Sequence, residues 1–125
     1  MARKKASDKA RDFAVEAARI AHERHCTDIT VLDLCGESPA TDYFVIATGT
    51  SDRQMRSVAN DICVAARQGG LERFGRAGYD HARWILLDYV DVVVHLFEGE
   101  YRQYYDLELL WGDADRVDWA GSSQA

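Results

Sequence analysis

The sequence predicts a single α/β domain of α-β-α sandwich type, with helices covering a mixed sheet in the order α-β-β-α-β-β-β-α. Three observations carry that prediction. Two segments repeat apolar residues at helical spacing, and short runs of β-branched and aromatic residues lie between and after them. Two of those runs stand only three residues apart, a link that admits nothing but a hairpin. The chain has 125 residues, enough for one domain with a real core and too few for two.

Residues 1–6 show no period and are expected to be mobile, so residues 1–7 read as a flexible basic arm. Ser7 or Asp8 then suits an N-cap, and Phe13, Ala14, Ala17, Ala18 and Ala21 form a stripe small enough for close packing. This helix should fade near residues 25–27. Ile29, Val31 and Leu34 mark a first strand, and Gly36, Ser38 and Pro39 a turn. Residues 43–48 form a second strand, and the short connection predicts an antiparallel pair. Thr50 or Ser51 caps the next helix, where Met55, Val58, Ala59, Ile62, Ala65 and Ala66 follow the i, i+3, i+4, i+7 rule. Gly69-Gly70 stops it. A short strand is expected around residues 73–76, then the hairpin of residues 84–88 and 92–97, then a helix over residues 101–111. The near-continuous apolar character of the hairpin strands predicts a central position with both faces covered. The domain is thus placed at residues 8–111, and residues 112–125 read as a tail that frays at its end.

The net charge of −6 argues against a general nucleic-acid coat, whose affinity comes from neutralising phosphates, so little direct nucleic-acid binding is expected. The charge is uneven. Arg3, Lys4, Lys5, Lys9 and Arg11 face only Asp8, which leaves a strongly acidic body; a solvated tail with charges kept for solubility is the simpler reading, and a body that approaches a basic partner protein is the functional one. Cys26, Cys35 and Cys63 are odd in number and lack zinc-ligand spacing, so they read as small buried hydrophobes in a reducing, cytoplasmic compartment. The longest apolar run, residues 92–97, is broken by His95 and falls far short of the ~20 residues a membrane span needs.

Few residues invite a chemical role. Gly49, Thr50 and Ser51 join a strand to a helix, where free N–H groups and the helix dipole can hold an anion; a plainly capped helix start is the simpler reading. Neither a Walker glycine-lysine pair nor a G-x-G-x-x-G run is present. Asp88 and Asp91 flank a turn, where aspartate serves turn geometry, rather than forming the D-x-D pair a metal-dependent transferase needs. No catalytic set, metal or cofactor is therefore expected. His95 shares a strand face with Val93 and Phe97 and reads as a core or interface histidine. Trp84, Tyr89, Tyr101, Tyr104, Tyr105, Trp111 and Trp119 crowd the second half, more large aromatics than so small a domain easily buries, and Trp and Tyr are the preferred anchors of protein interfaces.

Four blocks closely resemble the ribosomal silencing factor family, also called Iojap-like: Thr41-Asp42-Tyr43-Phe44-Val45-Ile46-Ala47-Thr48-Gly49-Thr50-Ser51, Trp84-Ile85-Leu86-Leu87-Asp88-Tyr89, Asp91-Val92-Val93-Val94-His95-Leu96-Phe97 and Tyr105-Asp106-Leu107-Glu108-Leu109-Leu110-Trp111. They stand in the family's order over about residues 8–111. The resemblance implies a nucleotidyltransferase-like fold without a transferase role. It implies binding to the large ribosomal subunit at large-subunit ribosomal protein fourteen, where the bound protein blocks subunit joining and lowers translation when nutrients are scarce. Homodimers are also implied. Carried onto this chain, the partner-facing residues are Trp84, Leu86, Asp88, Tyr89 and Asp91. One departure is Val90, where the family usually has glycine; because a β-branched residue resists positive φ, another turn type is expected here. The rival reading is a nucleotidyltransferase-like enzyme that binds a nucleotide at Gly49, Thr50 and Ser51.

Overall fold

In the computed structural model, residues 2–36, 41–71, 75–100 and 114–120 are described, with side chains from Lys9 onward. The elements are α1 (Ala2–Glu23), β1 (Thr27–Asp33), β2 (Tyr43–Gly49), α2 (Asp52–Gln68), β3 (Gly75–Ala77), β4 (Trp84–Asp88), β5 (Val92–Glu98) and β6 (Asp115–Arg116). The predicted helix over residues 101–111 lies outside the described residues, although a helical turn begins at Gly99 and Glu100.

One six-stranded sheet runs in the order β3-β4-β5-β2-β1-β6. β2 and β5 pair in parallel and every other neighbour is antiparallel, so the sheet is mixed, as expected. The parallel pair sits at the centre because a crossover through α2, β3 and β4 separates its strands in sequence. Both predicted hairpins form, β1 with β2 and β4 with β5.

The two described helices cover the same face. Ala14, Ala17, Ala18 and Ala21 of α1 are wholly buried, which lets its backbone lie close on Val31, Val45 and Ala47, while Met55, Val58, Ala59 and Ile62 of α2 pack beside Ile85, Leu87 and Leu96. The other face carries a smaller cluster of Leu32, Leu34, Ile46, Phe97 and Ala114, flanked by Phe44 and Trp84. No residue of either helix belongs to it.

Both helices end on left-handed residues. Gly70 (φ +80) closes α2, as the Gly69-Gly70 pair predicts. α1 ends on His25 (φ +75), with the Cys26 N–H bonded to the Ala21 carbonyl at 2.9 Å.

Three expectations need correction. α1 begins at Ala2, so neither Ser7 nor Asp8 caps it; Ala, Arg and Lys are strong helix formers and extend the helix without an apolar stripe. β4 is not covered on both faces: Ile85 and Leu87 are buried, whereas Trp84, Leu86 and Asp88 are only partly so. Finally, the fold does not stop at residue 111. β6 pairs with the outer edge of β1, Val117 is buried, and the Trp119 indole donates to the Ile29 carbonyl at 3.3 Å. Two strand residues and an anchored indole thus cover an edge that would otherwise expose unpaired backbone groups.

Candidate functional site: the sheet face away from the described helices and its acidic end

Strand alternation determines what this face presents. Trp84, Leu86 and Asp88 point to one side of β4, and register places them beside Phe97, His95 and Val93 of β5. Ile46 and Phe44 of β2 continue the row. On the outer side, β3 sets Ala77 against Leu86 and Gly75 against Asp88. A Cβ built at Gly75 would meet nothing within 4 Å, so the edge strand does not wall off the acid.

The aromatic part is ordered. The Trp84 ring stacks on Phe97 with centroids 4.9 Å apart and an interplanar angle of 27°. The Trp84 indole Nε1–H donates to His95 Nδ1 at 3.1 Å. Phe44 meets the His95 ring edge-on at 4.6 Å. His95 is 4% exposed, and burial pushes its pKa down to about 4, so the imidazole is neutral near pH 7.

At one end of the face, acids gather around the β4–β5 turn. The Asp88 carboxylate accepts the Val90 N–H at 2.8 Å. The Asp91 N–H bonds to the Tyr89 carbonyl at 2.9 Å, so the link is a γ-turn centred on Val90. Val90 has φ +71, which corrects the expectation of a different turn type: the chain keeps a positive-φ turn and sets a valine in it. The Asp91 carbonyl takes two N–H groups, from Asp42 and Tyr43, both at 3.0 Å, and its carboxylate is exposed. Desolvation first, then the charges of Asp91 and Asp33, raise the Asp42 pKa. Asp33, Asp42, Asp88 and Asp91 therefore share one end of the sheet, and the pairing of Asp33 with Asp115 adds a fifth acid. Among the described residues no group of His, Cys, Asp or Glu could hold a metal ion.

The structure thus brings together Trp84, Leu86, Asp88 and Asp91, but not Tyr89. Tyr89 is buried on the helix side, edge-on to Phe13 at 5.1 Å and 73°. Alternation could have shown this, because the residue after Asp88 must face the other way. The expectation that Tyr89 belongs to the partner-facing set is therefore corrected. The sequence reading also missed that Phe44 and His95 back the tryptophan; the signal was there in the period-2 spacing of His95 from Phe97.

Gly49, Thr50 and Ser51 lie at the opposite end of the sheet. Ser51 is the N-cap of α2 and its Oγ accepts the Gln54 N–H at 3.0 Å. The Gln54 Oε1 accepts the Thr50 N–H at 3.0 Å, and the Asp52 carboxylate accepts the Arg53 N–H at 2.7 Å. Three of the amides an anion could use, those of Thr50, Arg53 and Gln54, are engaged internally, beside the Asp52 carboxylate. Gly49 is explained by packing, since a Cβ there would come 2.1 Å from Met55 Cγ.

Fold and face together define a class: one mixed sheet with both described helices packed on one side and, on the other, an aromatic row ending in carboxylates. The family model described as "Ribosomal silencing factor during starvation" matches residues 7–125, and the chain belongs to that family. It is 43% identical over 102 residues to the ribosomal silencing factor RsfS of Bacillus subtilis, covering 82% of this chain and 86% of that one. The RsfS of Halalkalibacterium halodurans is 37% identical over 105 residues, covering 84% and 90%. A crystal structure of a Chromobacterium violaceum protein superposes with a TM-score of 0.76 at 31% identity, covering 92% of each chain.

Proposed function

We propose that this protein represses translation by binding the large ribosomal subunit and sterically blocking its joining to the small one. The carrying observation is the register that sets Trp84, Leu86 and Asp88 side by side on the sheet face away from both described helices. Such a strip offers an apolar anchor beside negative charge, the complement of a basic protein surface. Large-subunit ribosomal protein fourteen, implied by the resemblance, is the partner we assign to it, and a homodimer through the same face is the competing occupant in the free protein. The action is by occupation in the cytoplasm, with no chemical step and no cofactor. The family membership supports this reading, and so does the internal satisfaction of the helix start at Gly49, Thr50 and Ser51.

Gradient sedimentation of purified subunits tests it. Adding the protein at constant magnesium should leave the subunits separated, and a folded Trp84→Ala variant should no longer co-sediment with the large subunit. Normal subunit joining in saturating protein refutes the mechanism. Magnesium-dependent turnover of a nucleoside triphosphate would instead support the enzymatic alternative.

A further inference from the structure

The sheet face away from both described helices contains one polar group with no evident packing advantage. His95 is buried on the same sheet face, beside Leu86, and its Nε2 has no hydrogen-bond partner among the described residues. Because Nδ1 accepts the Trp84 N–H at 3.1 Å, the neutral ring must carry its proton on Nε2, so a buried donor goes unused. That is unfavourable, and a phenyl ring would fill the same space without it. Trp84, by contrast, is only partly buried, and its N–H finds its acceptor in this ring. What the bond does is select an orientation. Register puts Trp84 opposite Phe97 and makes His95 its diagonal neighbour, within reach of a long aromatic side chain. The imidazole is itself fixed, lying 7° from parallel to Phe97 at 6.0 Å and edge-on to Phe44. Three rings and one hydrogen bond therefore leave the indole a single pose.

We infer that His95 is a positioning residue: through Nδ1 it holds the Trp84 indole in the pose that meets the partner. The inference rests on the proposed docking role of this face. Burial keeps the ring neutral near pH 7, so the acceptor is present whenever the protein is folded. A pre-set anchor spares the partner the ordering of a large side chain on binding.

The test uses the full-length protein, purified large subunits and the indole N–H resonance of Trp84, assigned by its loss in Trp84→Phe. In His95→Phe that resonance should shift and exchange faster with solvent, and affinity for the large subunit should fall by about tenfold, the effect of one neutral hydrogen bond. On a Trp84→Phe background the same substitution should cost no further affinity. His95→Asn, whose Oδ1 replaces Nδ1, should restore both signals; His95→Gln, whose amide replaces Nε2, should not. This pair settles the matter even where His95→Phe folds poorly. Unchanged resonance and affinity in His95→Phe and His95→Gln overturn the inference, provided Trp84→Ala itself weakens binding. If Trp84→Ala binds normally while His95→Phe still moves the resonance, the docking role of the face fails, and the inference falls with it for that separate reason.

Discussion

Val90→Gly should stabilise this protein, and the reasoning can be checked at each step. Val90 has φ +71 and is 51% exposed, so a β-branched side chain occupies a left-handed conformation with little burial in return. Left-handed angles cost a non-glycine residue about 1–2 kcal/mol, and a branched Cβ lies at the upper end. Glycine removes that strain but loses more chain entropy on folding, about 0.4–1 kcal/mol. The half-exposed valine also forfeits a partial apolar contact worth about 0.5 kcal/mol, less than one buried methylene. The balance is a gain of up to about 1 kcal/mol, or about 3 °C in Tm for a domain of this length. Val90→Ala is the control: it keeps the Cβ and hence most of the strain, yet loses the same contact, so it should be neutral or slightly destabilised. Urea unfolding followed by circular dichroism reads both variants. If Val90→Gly is no more stable than Val90→Ala, the turn is not strained and the argument fails. Affinity for the large subunit should be unchanged in Val90→Gly, because the Asp88 bond to the residue-90 N–H does not depend on the side chain there.

Asp88 has two separable roles. Asp88→Asn keeps an oxygen for the Val90 N–H and removes the charge, so stability should hold within about 0.5 kcal/mol, while large-subunit binding weakens and loses part of its salt dependence. Asp88→Arg should lose the turn bond as well and weaken binding further, since removing one partner of a desolvated charge pair costs about 2–5 kcal/mol; both variants are read by co-sedimentation and thermal melts. Tyr89→Ala should act on stability instead, costing about 3 kcal/mol in chemical unfolding because it opens a cavity against Phe13. The pH profile follows from His95. Its folded pKa of about 4 lies below the ordinary 6.5, so the unfolded chain binds the extra proton between those values. The stability it confers is complete above about pH 6.5 and is lost as pH falls towards 4. Asp42, raised by burial and by Asp91 and Asp33, acts in the opposite sense. The difference between wild type and His95→Phe isolates the histidine, and parallel urea midpoints over that window would refute its assignment.

What the sequence made legible was local. α2 was readable because Ser51, the stripe from Met55 to Ala66 and the Gly69-Gly70 pair lie within twenty residues of one another and agree. Both hairpins were readable because their links are too short for any other connection. The parallel pairing of β2 with β5 was not, since nothing in either strand records which of several apolar runs will lie beside it. β6 escaped because Asp115 and Arg116 are exposed and have no apolar pattern; backbone bonds to β1 hold them, and any side chain can accompany those. The start of α1 is not legible because Ser7 and Asp8 suit an N-cap although strong helix formers precede them and carry the helix back to Ala2. For the candidate site, residue types pointed to Trp84, Leu86, Asp88 and Asp91. The exclusion of Tyr89 and the backing of Trp84 by His95 are consequences of alternation and register, which become firm only once the strands are paired.

The same pairing explains how so small a domain fixes its carboxylates at one place. The acids at the β4–β5 end come from three strands, β1, β4 and β6, and from the links that precede β2 and β5, and self-repulsion should drive them apart. Backbone bonds oppose that: the Asp91 carbonyl gathers the Asp42 and Tyr43 N–H groups, Asp88 holds the Val90 N–H, and Asp33 takes the Cys35 N–H at 2.9 Å. Asp88 and Asp33 each give one oxygen to a turn amide. The Asp42 pKa is raised first by burial and then by the charges of Asp91 and Asp33, and that second contribution records the crowding. A cationic partner surface would relieve the repulsion on binding, so the acids contribute more to the complex than to the free fold. The aromatic row is already at rest, its rings stacked and its indole bonded. On the proposed reading, charge at one end would serve encounter and orientation, and the pre-set tryptophan would serve residence. Neither demands a reacting group, which is consistent with a protein that acts by where it sits.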